Sequence, residues 1–298
     1  MAKFIKLIRI QGPILRTSLV FVMAFALSAL AVAGEGFEHG KWRYLVKYQG
    51  VFSAGSEISI ADLSWETMPV ELDSQVDYLQ SRLFISSEKH AFVENLYPFR
   101  YQIDSWFMPE SAACLAFKGY KQTKKTKHYL AVIDEEKDAL ERIDLTENNN
   151  VSVLESLEFG DYVREQGIDS YDFPISAGTF DRISMLQRLR SENLKVGDDL
   201  TAWVRTKDKK LRYRIRVEKE DVIELAGSHW PSWKLRLDAV KFNEEGRERP
   251  SHRSVFLWLS RDSSKVFLKA LVRHTIGDFS VQLVDAGHSG PKEVLASK

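Results

Sequence analysis

Ser86 and Lys89 stand three residues apart, the spacing that sets a lysine amine one helical turn from a serine hydroxyl to take its proton. The motifs that complete such a site are missing, the surrounding Ser86-Ser87-Glu88-Lys89 is wholly polar, and Ser289 with Lys292 repeats the spacing in a Gly/Pro-rich tail. In a chain rich in both residue types, such pairs are expected by chance. Gly-x-Ser-x-Gly, which raises a serine on a strained strand-to-helix turn, does not occur. The seven histidines, His90, His128, His229, His252, His274 and His288 among them, show no His-Glu-x-x-His spacing, so no metal site and no cofactor is expected. The acidic runs Asp134-Glu135-Glu136 and Asp198-Asp199 border strand-like segments among other charges and read as solvated turns rather than acid–base pairs. Asp104 and Asp181 are flanked by apolar residues, and the expected role of each is to cap a helix end or a turn.

Aromatic residues are the least ordinary feature. Tyr97-Pro98-Phe99-Arg100-Tyr101, Trp106-Phe107 and His229-Trp230-Pro231-Ser232-Trp233 are dense enough to line the concave side of a curved sheet. Tyr101, Trp106, Trp230, Trp233 and Trp258 are the candidate lining of a groove for an apolar or amphipathic ligand, such as a lipid tail or a partner's strand, set against the blander expectation of core residues packed beneath the sheet. Arg212, Arg214 and Arg216 alternate with apolar residues and would meet an anionic headgroup or a cell-wall polymer, although a solvated strand face accounts for them as well. Cys114 is the only cysteine, so no disulfide staples the chain. Within Ala112-Ala113-Cys114-Leu115-Ala116 it reads as a small buried hydrophobe, the alternative being a reactive thiol.

The elements that must position these residues are strands. Leu211-Arg212-Tyr213-Arg214-Ile215-Arg216-Val217 and Trp233-Lys234-Leu235-Arg236-Leu237-Asp238-Ala239 alternate with period two, which sends one apolar face to a core and one polar face to water. Noisier runs of the same kind are 42–48, 57–63, 97–107, 127–133, 201–206, 222–225, 255–260, 266–273 and 279–284. Short turn-like pieces separate them, and no helix-length patterns intervene, so the sheet is expected to be antiparallel. The fold class is therefore mainly β, a curved sheet or open half-barrel. One amphipathic helix is predicted over about 180–190, where Phe180, Ile183, Leu186 and Leu189 recur every third residue behind a candidate N-cap at Thr179. Its expected job is to cover an open face or end of the sheet. The acidic stretch 140–170 reads as a loop or weak helix and as a soft boundary inside a single domain spanning 34–285, with 286–298 a flexible tail.

The chain opens with a basic stretch, an apolar run over Thr17–Leu30, and Ala31-Val32-Ala33, the order of a secretory signal cleaved after Ala33. The alternative is an uncleaved membrane anchor. Lys3, Lys6, Arg9 and Arg16 all lie in this leader, so of 42 basic and 42 acidic side chains the remainder keeps 38 basic against 42 acidic. A mildly negative chain has no general attraction for phosphate backbones, which argues against nucleic acid as a partner. Once the leader is removed, no transmembrane span is expected.

Several short motifs resemble, in their order along the chain, the bacterial envelope family called domain of unknown function 3108. They are Tyr44-Leu45-Val46-Lys47-Tyr48 with Ala54-Gly55, Tyr101 with Asp104-Ser105, and Phe180-Asp181-Arg182-Ile183-Ser184 with Leu189-Arg190. Leu194-Lys195-Val196-Gly197-Asp198, Leu257-Trp258-Leu259-Ser260 with Asp262, and Ile276-Gly277 continue the series. The resemblance implies an exported β-sheet or half-barrel domain and supplies no catalytic residues. The functional expectation is a non-catalytic periplasmic binding or assembly factor of the cell envelope, with a lipid or an envelope protein as partner. The alternatives are an envelope hydrolase whose site is assembled only in the fold, and a structural partner that pairs through an edge strand.

Overall fold

A computed structural model describes residues 40–72, 76–134, 139–144, 179–206, 209–225, 227–242, 247–250 and 253–285. The expected leader with its cleavage point, most of the soft boundary and the tail lie outside the described residues, but residues 140–144, expected in a loop or weak helix, form part of an edge strand that pairs with Tyr129–Asp134.

Strands β1 (Gly40–Gly50), β2 (Glu57–Leu72), β3 (Val76–Ser86), β4 (Arg100–Phe107), β5 (Cys114–Gln122), β6 (Thr126–Asp134) and β7 (Ala139–Asp144) form one arm of a sheet. Strands β8 (Thr179–Phe180), β9 (Asp199–Thr206), β10 (Lys209–Leu225), β11 (Ser228–Phe242), β12 (Glu248–Pro250), β13 (Val255–Ser260), β14 (Phe267–His274) and β15 (Gly277–Asp285) form the other. The order runs β7-β6-β5-β4-β3-β2-β1-β15-β14-β13-β11-β10-β9-β8, with β12 beside β11. The sheet is curved and open, ending on β7 and β8. The two arms are sewn together by β1 and β15, from opposite ends of the described chain, with Val46 opposite Val281 and Gly50 opposite Gly277. At that last pair the backbones approach too closely for side chains: a Cβ on Gly277, whose φ is +140°, would sit 2.4 Å from the Gln49 carbonyl oxygen.

Among the described residues every pairing is antiparallel except the two-residue contact of β8 with β9, which is parallel. The alternation that announced the strands has its expected result. In β10, Leu211, Tyr213, Ile215 and Val217 are buried while Arg214 and Arg216 stand in solvent. The runs 211–217 and 222–225 prove to be one strand interrupted by a bulge, where Val217 pairs with Leu235 but Lys219 pairs with Lys234. The extra residue, Glu218, reverses which side chains face inward, so Asp221, Ile223 and Leu225 lie on the outer side beyond it.

Helix α1 (Ala91–Leu96) joins β3 to β4, and helix α2 (Arg182–Ser191) packs against β4, β8 and β9 on the inner face. The expected helix is present, with a later start. Thr179 and Phe180 are spent on β8, and the N-cap is Asp181, whose Oδ1 accepts from the Ser184 amide at 2.6 Å while its own amide donates to Ser184 Oγ at 3.0 Å. A carboxylate satisfying the exposed amides of the first turn is the stronger cap, and it fixes the boundary two residues beyond Thr179. α2 is buried nearly all round, including Ser184, Gln187 and Arg190, because it lies within the curve of the sheet rather than on its rim.

Candidate functional site

The inner face is occupied. Trp42, Tyr44, Trp65, Phe107, Tyr213 and Phe267 are among the largest fully buried side chains, and the core continues through Val46, Leu63, Leu83, Leu237 and Val281. The polar residues of α2 are tied into this core. Gln187 Nε2 donates to Ser81 Oγ at 2.8 Å and to Thr67 Oγ1 at 3.3 Å, and those two hydroxyls bond each other at 2.7 Å across β2 and β3. Arg190, fully buried, donates Nε to the Lys265 carbonyl at 2.7 Å and Nη2 to that of Ser264, with its guanidinium 5.9 Å from the Trp42 ring centre. Burial pushes the Asp181 carboxyl up to about 6 against the pull of the Ser184 hydrogen bonds. Burial first, and then the nearby Asp181 charge, hold the Cys114 thiol well above its usual range. Cys114 is free and buried, which makes it a packing residue rather than a nucleophile.

The five aromatic residues expected to line one groove divide between the two faces. Tyr101 is on the inner face opposite Ile85, packed 5.8 Å from Phe99, and Trp233 is on the inner side opposite Leu259 with the Arg261 guanidinium 5.6 Å from its ring. The register puts Trp106, Trp230 and Trp258 on the outer side, opposite Gln80, Ile223 and Lys234. Tyr101 and Trp106 are five apart and Trp230 and Trp233 three apart, and an odd separation in a strand means opposite faces. Trp258 donates Nε1 to Asp221 Oδ2 at 3.0 Å, the main cause that holds the Asp221 carboxyl below its usual range. The Lys234 ammonium stands 4.4 Å from the Phe256 ring centre beside it.

The other candidates sort as follows. Asp104 is not a cap: it is buried on the outer side of β4, accepting from Arg82 Nε at 2.6 Å and Gln102 Nε2 at 2.9 Å, with Lys118 Nζ 3.8 Å away. His90 Nε2 lies 3.6 Å from Asp62 Oδ2, beyond hydrogen-bond reach, and Ser86, opposite Asp62, turns its Oγ to the Glu88 amide. Among the described residues no three His, Cys, Asp or Glu side chains converge as a metal set, and no helix is long and apolar enough to cross a membrane.

The outer wall of β9, β10 and β11 is open and carries a depression. Register aligns Asp199 with Arg216 and Arg236, Thr201 with Arg214 and Asp238, and Trp203 with Arg212 and Val240. Each arginine has a carboxylate partner. Arg216 Nη2 meets Asp199 at 2.5 Å, Arg214 Nη2 meets Glu248 at 2.5 Å, Arg212 shares that same Glu248, and Arg236 Nε meets Asp238 at 2.9 Å. Between these pairs lies a depression of about 530 Å³ lined by Asp199, Thr201, Arg214, Arg216, Glu218, Arg236 and Asp238. Beside it, Trp203 and Phe242 are 36% and 38% exposed with ring centres 5.7 Å apart. The sequence marked Arg212, Arg214 and Arg216 but missed the aromatic pair, because Trp203 and Phe242 are brought together only across β10.

Solved structures of similar shape are distant. A β-barrel-like protein of domain of unknown function DUF1849 from Brucella abortus is 9% identical, with a TM-score of 0.42, over 85% of this chain and 98% of its own. A protein described as exported, with a YmcC-like fold, from Bacteroides fragilis is 7% identical, with a TM-score of 0.32, over 84% of this chain and 98% of its own. A protein described as a lipoprotein from Parabacteroides distasonis is 8% identical, with a TM-score of 0.30, over 84% and 96%. No curated protein matches the chain. Residues 158–284, a stretch that holds α2 and the outer wall, match the model of the family described as protein of unknown function (DUF3108).

Proposed function

We propose that this chain is an exported, non-catalytic binding or assembly factor of the bacterial cell envelope, and that it meets its partner through the outer wall of β9, β10 and β11. One observation carries the choice of surface. The inner face, where a groove was expected, is taken up by α2 and an aromatic core, whereas the outer wall keeps an exposed Trp203–Phe242 pair beside a charged depression. Exposed aromatic side chains next to ordered polar groups are the composition of binding surfaces rather than of ordinary solvated strands. Export rests on the leader pattern ending at Ala33.

Cell fractionation followed by sedimentation tests both parts. The protein is expected in the periplasmic fraction, shortened by its leader, and expected to pellet with isolated cell envelopes. A Trp203→Ala, Arg214→Ala double variant keeps the wild-type circular dichroism spectrum and stays in the supernatant. Retention of the full-length chain in the cytosol overturns the export, and a double variant that pellets like wild type overturns the surface.

A further inference from the structure

Resting on that reading of the surface, we infer that the outer wall of β9, β10 and β11 is a saccharide site: it takes a neutral or weakly charged glycan, one sugar ring against Trp203 and Phe242 and its neighbours' hydroxyls in the depression between Asp199 and Asp238. Charge decides the ligand class. Arg214, Arg216 and Arg236 line the depression together with Asp199, Asp238 and Glu218, and Glu218 is itself held by Lys234 at 2.6 Å. The lining of the depression itself is thus balanced, three guanidinium groups against three carboxylates. A polyanion would find the arginines already matched to carboxylates, and a basic peptide would find the carboxylates already matched to arginines.

A hydroxyl-rich ligand has the opposite requirement, donors and acceptors side by side with no net charge to neutralise. A guanidinium carries five N–H groups in a fixed plane, and Arg214 and Arg216 each direct Nη2 to a carboxylate, which holds the plane while leaving further N–H groups for a ligand. The carboxylates and Thr201 supply acceptors. Such an array is ordered before a ligand arrives, so its side chains lose little freedom on binding.

The aromatic pair supplies the other half of sugar recognition. A pyranose ring has one face of C–H groups, and these are attracted to the negative face of an aromatic ring. Trp203 follows Thr201 by two residues along β9, about 7 Å in an extended strand, so the aromatic pair and the depression form one continuous surface. Lys210 and Arg212 stand 5.5 and 5.3 Å from the Trp203 and Phe242 ring centres and keep the pair from being a purely apolar patch.

Titration calorimetry of the exported protein tests this against four probes: a β-1,4-linked N-acetylglucosamine tetramer, a dextran fragment, solubilised sacculus glycan strands, and phosphatidylglycerol vesicles. Saturable binding to at least one glycan is expected at a Kd of about 1 mM or tighter. Trp203→Ala should weaken it at least tenfold, and raising salt from about 50 to about 500 mM should change it less than twofold, since no net charge is neutralised. Binding to the vesicles alone, or to none of the four, overturns the saccharide assignment. If the glycans fail while the double variant still loses envelope sedimentation, the wall stands as the binding surface and only the ligand class falls. If the double variant sediments normally, both fall.

Discussion

Arg190 and Arg214 are the same side chain in two solvents. Arg190 lies fully buried beneath the sheet, its Nε and Nη2 fixed on the carbonyls of the β13–β14 turn, and α2 with its cap Asp181 brings Gln187 into the same interior. Arg214 stands on the outer wall with half of its side chain in water and a carboxylate that water screens. In the interior an unmet polar group loses its hydration with nothing in exchange, so each bond there holds the fold together. On the wall the same bonds contribute little to folding, and on the proposed function they hold donors and acceptors in place for a ligand. The packed interior is therefore read as stability, and the open wall of β9, β10 and β11 is the surface proposed for recognition.

The largest expected effect comes from breaking the interior. Arg190→Ala leaves two carbonyls without a donor and an empty volume beside Trp42, and should cost about 4 kcal/mol in urea unfolding. A loss below about 1 kcal/mol would show that α2 is not part of the core. The next effect is a pH dependence. The Asp181 carboxyl titrates at about 6 in the folded chain and near 3.9 when unfolded, so the folded state binds this proton more tightly. Its stabilisation is complete below about pH 4 and is lost as pH rises through about 6, by an amount on the order of 3 kcal/mol. Asp181→Asn keeps an N-cap without the titration, and its stability difference from wild type should change by that amount between those limits. A difference that stays constant with pH would mean that the carboxyl is not desolvated.

Gln187→Ala removes the donor to Ser81 and Thr67 and should cost about 2 kcal/mol. The smallest effect belongs to the wall, where Arg214→Ala should move the unfolding temperature by less than about 2 °C. A destabilisation matching that of Gln187→Ala would erase the contrast between the two faces.

Much of the sheet was legible in the residues. β10 and β11 announce themselves because one face is wet, and the two-residue period survives only under that condition. β5 escaped notice because Cys114 to Gly119 are buried on both faces, which leaves no alternation to read. β3 escaped because Gln80 and Ser81 are polar residues in a buried strand, satisfied by partners far along the chain. The N-cap was placed at Thr179 rather than Asp181 because both types cap helices, and the choice depends on the Ser184 amide geometry. The separations of Tyr101 from Trp106 and of Trp230 from Trp233 were sufficient to assign them to opposite faces. For Trp258 the face depended on register. The pairing of Trp203 with Phe242 needed two strand pairings at once, which no local pattern carries.

Fluorine NMR of protein labelled with 5-fluorotryptophan tests the division of the two faces most directly. All seven tryptophans fall within the described residues, and single Trp→Phe variants assign their signals. On addition of solubilised envelope fragments the Trp203 resonance should shift while those of Trp42 and Trp65, buried beneath the sheet, stay fixed. Movement of Trp42 and Trp65 with Trp203 unchanged would place the ligand inside the sheet and contradict the account.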